Sequence, residues 1–159
     1  MREAGPRGRR TAETPLSERP LELVWLNANW REQGGAFLVV ARAARRGFLD
    51  CAFFYVDLLG LGLKDCFRRQ AATRQDIVES LEALEEMEWS DCSEALAQQI
   101  VWGGYHYARR NGFRPPREFH QVRKFLTRLE EHEIEWERFG QDGKPLIICL
   151  LYTSDAADE

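Results

Sequence analysis

The sequence has little of what marks a metalloprotein, a secreted protein or a membrane protein: four cysteines, three histidines and no apolar run longer than Gly34 to Ala41. A bilayer span needs about 20 apolar residues, so that run excludes one. Cys51, Cys66, Cys92 and Cys149 show no Cys-x-x-Cys spacing, and two of them sit inside apolar runs. Buried free thiols are therefore expected, and neither a disulfide framework nor a zinc site. The histidines lack ligand spacing to cysteine or to one another, so no metal and no cofactor are expected. Gly60 to Asp65, GLGLKD, lacks the Gly-Lys-Ser/Thr ending of a phosphate loop and the glycine spacing of a dinucleotide fingerprint. The first twenty residues carry charge and proline but no apolar centre, so no secretory signal is read and a cytoplasmic compartment is expected.

What is present suits one globular domain. The chain has 159 residues, with 44% hydrophobic and 30% charged side chains, enough to build a core without covalent staples. Its densest apolar part runs from Ala36 to Phe67 and reads as a hairpin around which the rest packs. Ala36 to Ala41 is apolar on both faces, as an interior strand would be, and Arg45-Arg46-Gly47 supplies a turn. Phe48 to Leu59 returns as a second strand, with Leu49, Cys51, Phe53 and Tyr55 on one face and Ala52, Phe54, Val56 and Leu58 on the other.

Around this hairpin, residues 1–20 mix five arginines and three glutamates with almost no large apolar side chain and read as a mobile, mildly basic arm. Leu21 to Trp30 fits a helix or a strand equally. Lys64 to Ala72 suggests a short helix. Thr73 with Asp76 is an N-terminal capping pattern for a helix whose stripe is Ile77, Leu81, Leu84 and Met87. Asp91 with Glu94 opens another, with the stripe Leu96, Ile100, Gly104, Tyr107 and Ala108 and an end at Asn111-Gly112. Gly103-Gly104 inside it predicts close approach to the sheet. Pro115-Pro116 stops that helix, and residues 117–131 read as a third, with Phe119, Val122, Phe125, Leu126 and Leu129 inward. The last element alternates Ile134, Trp136 and Arg138 against glutamates and turns at Asp142-Gly143 into a terminal hairpin. The expected fold is α+β: a small antiparallel sheet built on the central hairpin, covered by about three amphipathic helices.

Three patterns carry candidate chemistry. Asp57 lies inside an apolar strand and must find a partner; with Lys64 and Asp65 it makes a polar cluster at a strand end, of the kind that transfers protons, or simply a structural ion pair or loop cap. His106 adjoins Tyr105 and Tyr107 and reads as a buried, hydrogen-bonded residue, whereas His120 remains the outlying catalytic candidate. Charge also falls in blocks. From Gln75 to Glu94 there are eight acids and no lysine or arginine; Arg109, Arg110, Arg114, Arg117, Arg123, Lys124 and Arg128 then follow against Glu118. The basic block suits a phosphate backbone, with Tyr105, Tyr107, Phe113 and Phe119 for stacking, and equally suits internal pairing with the acidic helix.

The runs FLVVARAARRGFLDCAFFYVDLLGLGLKDCF, YARRNGFRPPREFHQVRKF and FGQDGKPLII resemble a bacterial protein family with no established activity, over about Pro20 to Ile148. The resemblance implies no site residue. It does imply a departure, because relatives carry an aromatic residue and cysteine where Leu59-Gly60 stand, and further sequence after the last hairpin. Cys149 to Glu159, CLLYTSDAADE, is similar to a translated sequencing-library adapter found at the ends of metagenomic genes. The domain is therefore expected to span 21–148 and to be cut near Ile148. The reading is a non-catalytic binding or scaffold domain with a protein partner and no membrane contact. A nucleic-acid-binding domain using residues 105–128 comes second, and an enzyme using Asp57, Lys64, Asp65 and His120 third.

Overall fold

Five antiparallel strands form one sheet in the order β4-β3-β2-β1-β5, in a computed structural model that describes residues 14–84, 86–141 and 144–145. Strands β1 (Leu21–Asn27), β2 (Gly35–Ala43), β3 (Leu49–Asp57) and β4 (Gly62–Ala72) follow one another as a meander. A one-turn helix, α1 (Trp30–Gln33), joins the first two. From β4 the chain crosses the sheet through α2 (Arg74–Glu82), returning as the short β5 (Trp89–Asp91) beside β1. The long helix α3 (Glu94–Arg110) covers the opposite face.

Strand alternation divides the core into two layers. Val24, Leu26, Leu38, Val40, Ala52, Phe54 and Val56 face α3 and its Ile100, Val101, Trp102 and Tyr107. Leu23, Val39, Ala41, Leu49 and Cys51 face α2 and its Ile77 and Leu81. The central hairpin and its facing pattern are as read from the sequence, with Ala36 opposite Val56 and Val40 opposite Ala52. The α+β class holds. Helix α2 starts with the expected box: Asp76 N donates to Thr73 Oγ1 at 3.0 Å and Thr73 N to Asp76 Oδ2 at 2.9 Å. The hydrogen bond from the Thr73 backbone, with that from its side chain next, holds the Asp76 carboxyl below the ordinary range. This capping contribution is present at neutral pH and is lost as pH falls through the depressed value.

Several elements differ from the sequence reading. Residues 64–72 are strand, because Asp57 folds the chain back sharply: its carboxylate accepts from Gly60 N at 3.1 Å and Leu61 N at 3.0 Å. Irregular register between β3 and β4 then hides the alternation. Helix α2 ends at Glu82, leaving Leu84 exposed and Met87 beyond its end, and β5 takes Asp91, read as the cap of the next helix, whose N-cap is Ser93. The third helix is reduced to α4 (Phe119–Val122) and one 3-10 turn, Arg123–Phe125. A helix would keep the carbonyls of Phe125 and Leu126 for its own amides. Here Arg42 Nε donates to Phe125 O at 2.9 Å and Trp102 Nε1 to Leu126 O at 3.1 Å, and Leu126 is extended.

The described part of the terminal hairpin does not join the sheet, and its turn at Asp142-Gly143 and residues 146–148 lie outside the described residues. Among the described residues it contributes one bridge, Gln141 with Lys144. The preceding segment turns twice in 3-10 form and lays Ile134 and Phe139 on α3, where Phe139 sits over Gly103. Gly104, as expected, is the point of closest approach to the sheet: a Cβ there would meet Val56 Cγ1 at 2.7 Å and Leu63 N at 3.1 Å. At the other end, Thr14 to Pro20 is placed, where a mobile arm was expected. Leu16 packs on the α3 side of the core, and Ala43 N donates to Pro20 O at 2.8 Å. The remaining arm, 1–13, and the segment 149–159 lie outside the described residues.

Candidate functional site

The structure does not assemble Asp57, Lys64, Asp65 and His120 into one pocket. Asp57 is occupied by the two turn amides, and Lys64 is exposed on β4 and forms no ion pair with it. Asp65 Oδ1 accepts from Cys66 N at 2.9 Å and borders an apolar groove on the α2 side. His120 lies in a different depression, beside α3, where its Nδ1 donates to Arg117 O at 2.6 Å. General acid-base work needs groups that converge on one substrate, and these do not. His106 is buried and donates from Nε2 to Leu129 O at 2.8 Å. Among the described residues no three His, Cys, Asp or Glu side chains converge as a metal site.

The basic block is split. Arg109, Arg117, Arg123 and Arg128 line one shallow cleft of about 490 Å³ with His120, Trp102, Tyr105 and Phe119. Arg110 instead covers Trp136 at 4.2 Å, while Arg114 and Lys124 are exposed outside that lining. The acidic helix α2 packs on the opposite face of the sheet, and Glu94, which opens α3, pairs with Arg42, so among the described residues no ion pair joins the acidic run to the basic block. The proposed stacking residues are largely spent. Phe119 is buried against Trp102 at 5.1 Å, Tyr105 is stacked on Phe119 at 4.8 Å, Tyr107 is buried against Phe139 at 5.3 Å, and Phe113 is half-buried.

A second surface was not foreseen. Helix α2 covers only part of its sheet face, over Leu23, Ala41, Leu49, Cys51 and Ala72. Beyond its end the face carries stacked cross-strand aromatic pairs: Phe37 with Tyr55, centroids 4.4 Å apart, and Phe53 with Phe67, 4.5 Å apart. Phe67 is 51% exposed and Leu84 41%. These rings border an apolar groove of about 240 Å³ closed at one side by Leu81, Leu84 and Trp89. The same three residues border a neighbouring depression of about 580 Å³ that carries Glu82, Glu86 and Asp91. The clue in the sequence was that β3 is apolar on both faces while the helix available for one of them has only two strong core positions, Ile77 and Leu81.

The thiols are free and shielded. Burial pushes Cys51 up to about 11 and Cys66 to about 12; for Cys51 the nearby Arg69 offsets part of this, and for Cys66 Asp65 adds to it. Near pH 7, well below the ordinary thiol value of about 8.5, both folded and unfolded chains hold these protons, so their titration leaves stability unchanged. Between about pH 9 and the raised values the unfolded chain releases them and the folded chain keeps them, so stability falls as pH rises. The urea midpoint at pH 10 is expected to lie below that at pH 8, and the difference is expected to shrink in the Cys51→Ala/Cys66→Ala variant. Equal pH differences in the variant and the parent chain would show that the thiols are not responsible.

Comparison with protein-family models, curated proteins and solved structures finds no match to this chain. No helix among the described residues is long and apolar enough to cross a membrane.

Proposed function

We propose that the chain is a non-catalytic binding module of the cytoplasm, and that its working surface is the uncovered aromatic part of the sheet. The single observation that carries this is the ladder of half-buried Phe37, Tyr55 and Phe53 with the exposed Phe67, beside the exposed Leu84 and half-buried Trp89. An apolar patch left open on an otherwise folded core is the usual mark of a partner site. Free, shielded cysteines agree with a reducing compartment. The resemblance to a bacterial family is part of the same proposal and adds no activity to it.

The partner's chemistry follows from the groove's border. Glu82, Glu86 and Asp91 adjoin it, Glu79 and Glu88 lie in the same acidic run, and that run contains no lysine or arginine. The matching occupant is a peptide segment with an apolar stripe flanked by basic residues, laid across β2–β4 below α2. A Leu/Lys amphipathic peptide and its Leu/Glu counterpart, titrated while tryptophan emission is followed, make the test. The basic peptide is expected to perturb Trp25 and Trp89 and to lose at least tenfold in affinity against Phe67→Ser, whereas the acidic one is expected not to bind. Equal binding of the basic peptide to Phe67→Ser would refute the assignment, since Phe67 is exposed and its replacement leaves the core intact.

A further inference from the structure

The cleft beside α3 has a use that the aromatic face does not explain. Its cations are supplied by three separate pieces of chain: Arg109 from the last turns of α3, Arg117 and Arg123 from the segment around α4, which also carries His120, and Arg128 from the chain beyond. Two of them are held in place by rings. Arg109 lies over Tyr105 at 5.7 Å and donates from Nη1 to its hydroxyl at 3.1 Å, and Arg128 lies over Trp102 at 5.1 Å. Arg128 also pairs with Glu130 at 3.0 Å. Arg109, Arg117 and Arg123 have no acidic partner within ion-pair distance among the described residues. Glu118 is exposed on the same segment but forms no ion pair with any of them. In a chain with formal charge −4, like charges gathered in a concavity with so few counter-charges repel one another and favour an anion that bridges them.

We infer that this cleft binds the phosphodiester backbone of single-stranded nucleic acid, without reading bases. Guanidinium groups present paired donors matched to phosphate oxygens, and several set around one concavity suit a chain of phosphates. The cations line a depression, which a single strand can enter and a stiff duplex meets only at its rim. Base stacking is not available, because Trp102 and Phe119 are buried and Tyr105 is taken by Phe119 on one side and Arg109 near it. The contact is therefore sequence-independent and salt-sensitive.

The test is fluorescence anisotropy of labelled 15-nucleotide single strands of two unrelated sequences, and of the matching duplex, at 50 and 200 mM salt. With about three to four phosphates neutralised, each contributing about 0.7 to the logarithmic salt slope, the fourfold rise in salt is expected to weaken single-strand binding about 20–50-fold. Both sequences are expected to bind alike and the duplex more weakly. Arg117→Gln/Arg123→Gln, at exposed positions without ion-pair partners, is expected to weaken binding about tenfold with an unchanged thermal melt. Arg45→Gln/Arg46→Gln, at the β2–β3 turn, and Arg9→Gln/Arg10→Gln, in the terminal arm, are expected to leave it unchanged. The inference is overturned by absence of binding at 50 mM salt, by equal loss in the turn or arm variants, or by a duplex bound as tightly as the strand. Binding confined to phosphatidylserine vesicles, with none to oligonucleotides, overturns it as well.

Discussion

Replacing Gly62 by alanine is expected to destabilise the domain by about 2–5 kcal/mol, from a left-handed backbone cost of about 1–2 and an overpacking cost of about 1–3. Gly62 opens β4 with φ +75°, and a Cβ there would lie 2.5 Å from Gly104 O and 3.0 Å from Ala108 N. Both obstacles are backbone atoms of α3, so no side-chain rotation relieves them. The position is where the strand that carries Phe67 meets the helix that carries Arg109, and both candidate surfaces depend on it. Urea unfolding followed by circular dichroism measures the loss. Gly47→Ala is the informative control: its φ is +80° but a Cβ there meets nothing within 4 Å, so it is expected to show the backbone cost alone. Equal losses at the two positions would show that the contact between β4 and α3 is looser than these distances require.

Asp50→Ala is expected to cost about 3–5 kcal/mol, the range for removing one partner of a buried ion pair. Asp50 is 3% exposed. It accepts from Arg68 Nε at 2.9 Å and Nη2 at 2.6 Å, and from Arg19 Nη1 at 3.2 Å. Its loss removes the carboxylate partner of both guanidiniums; Arg19 keeps its bond to Thr14 O at 3.0 Å and both side chains retain some contact with water, which places the effect toward the lower end. The hydrogen bond to Asp50, ahead of any other influence, pushes Arg68 further above its ordinary value, as a retained charge pair requires. Asp50→Asn keeps acceptor capacity on one oxygen and is expected to lose less than Asp50→Ala. If the two variants melt alike, the cost is that of the lost charge, and the acceptor and volume that asparagine keeps contribute nothing.

Asp50 also shows what a linear reading cannot rank. It stands one residue from Cys51 in an apolar strand, much as Asp57 stands between Val56 and Leu58, and either aspartate invites a functional reading. Chain distances separate Asp50 from Arg19 and Arg68, so its neutralisation is invisible until β3 and β4 are paired. Asp57, chosen for its apolar neighbours, finds its partners only three and four residues ahead, as a turn cap. The buried Arg42, which draws the carbonyl of Phe125 away from helix geometry, was equally illegible, because it acts across most of the chain.

The sequence by itself determined the class of fold, the central hairpin and its two faces, the capped start of α2, the core stripe of α3, and the grouping of charge into acidic and basic runs. Each depends on residues a few positions apart, where alternation, helical period and capping chemistry operate. Only the tertiary structure decided the rest. It made residues 64–72 a strand, dissolved the third helix, put the acidic helix α2 and the basic cleft on opposite faces of the sheet and left part of an aromatic face uncovered. The physical reason is common to these outcomes: carbonyls, charges and apolar surfaces are satisfied by whichever partner the folded chain brings near, and sequence distance does not identify that partner.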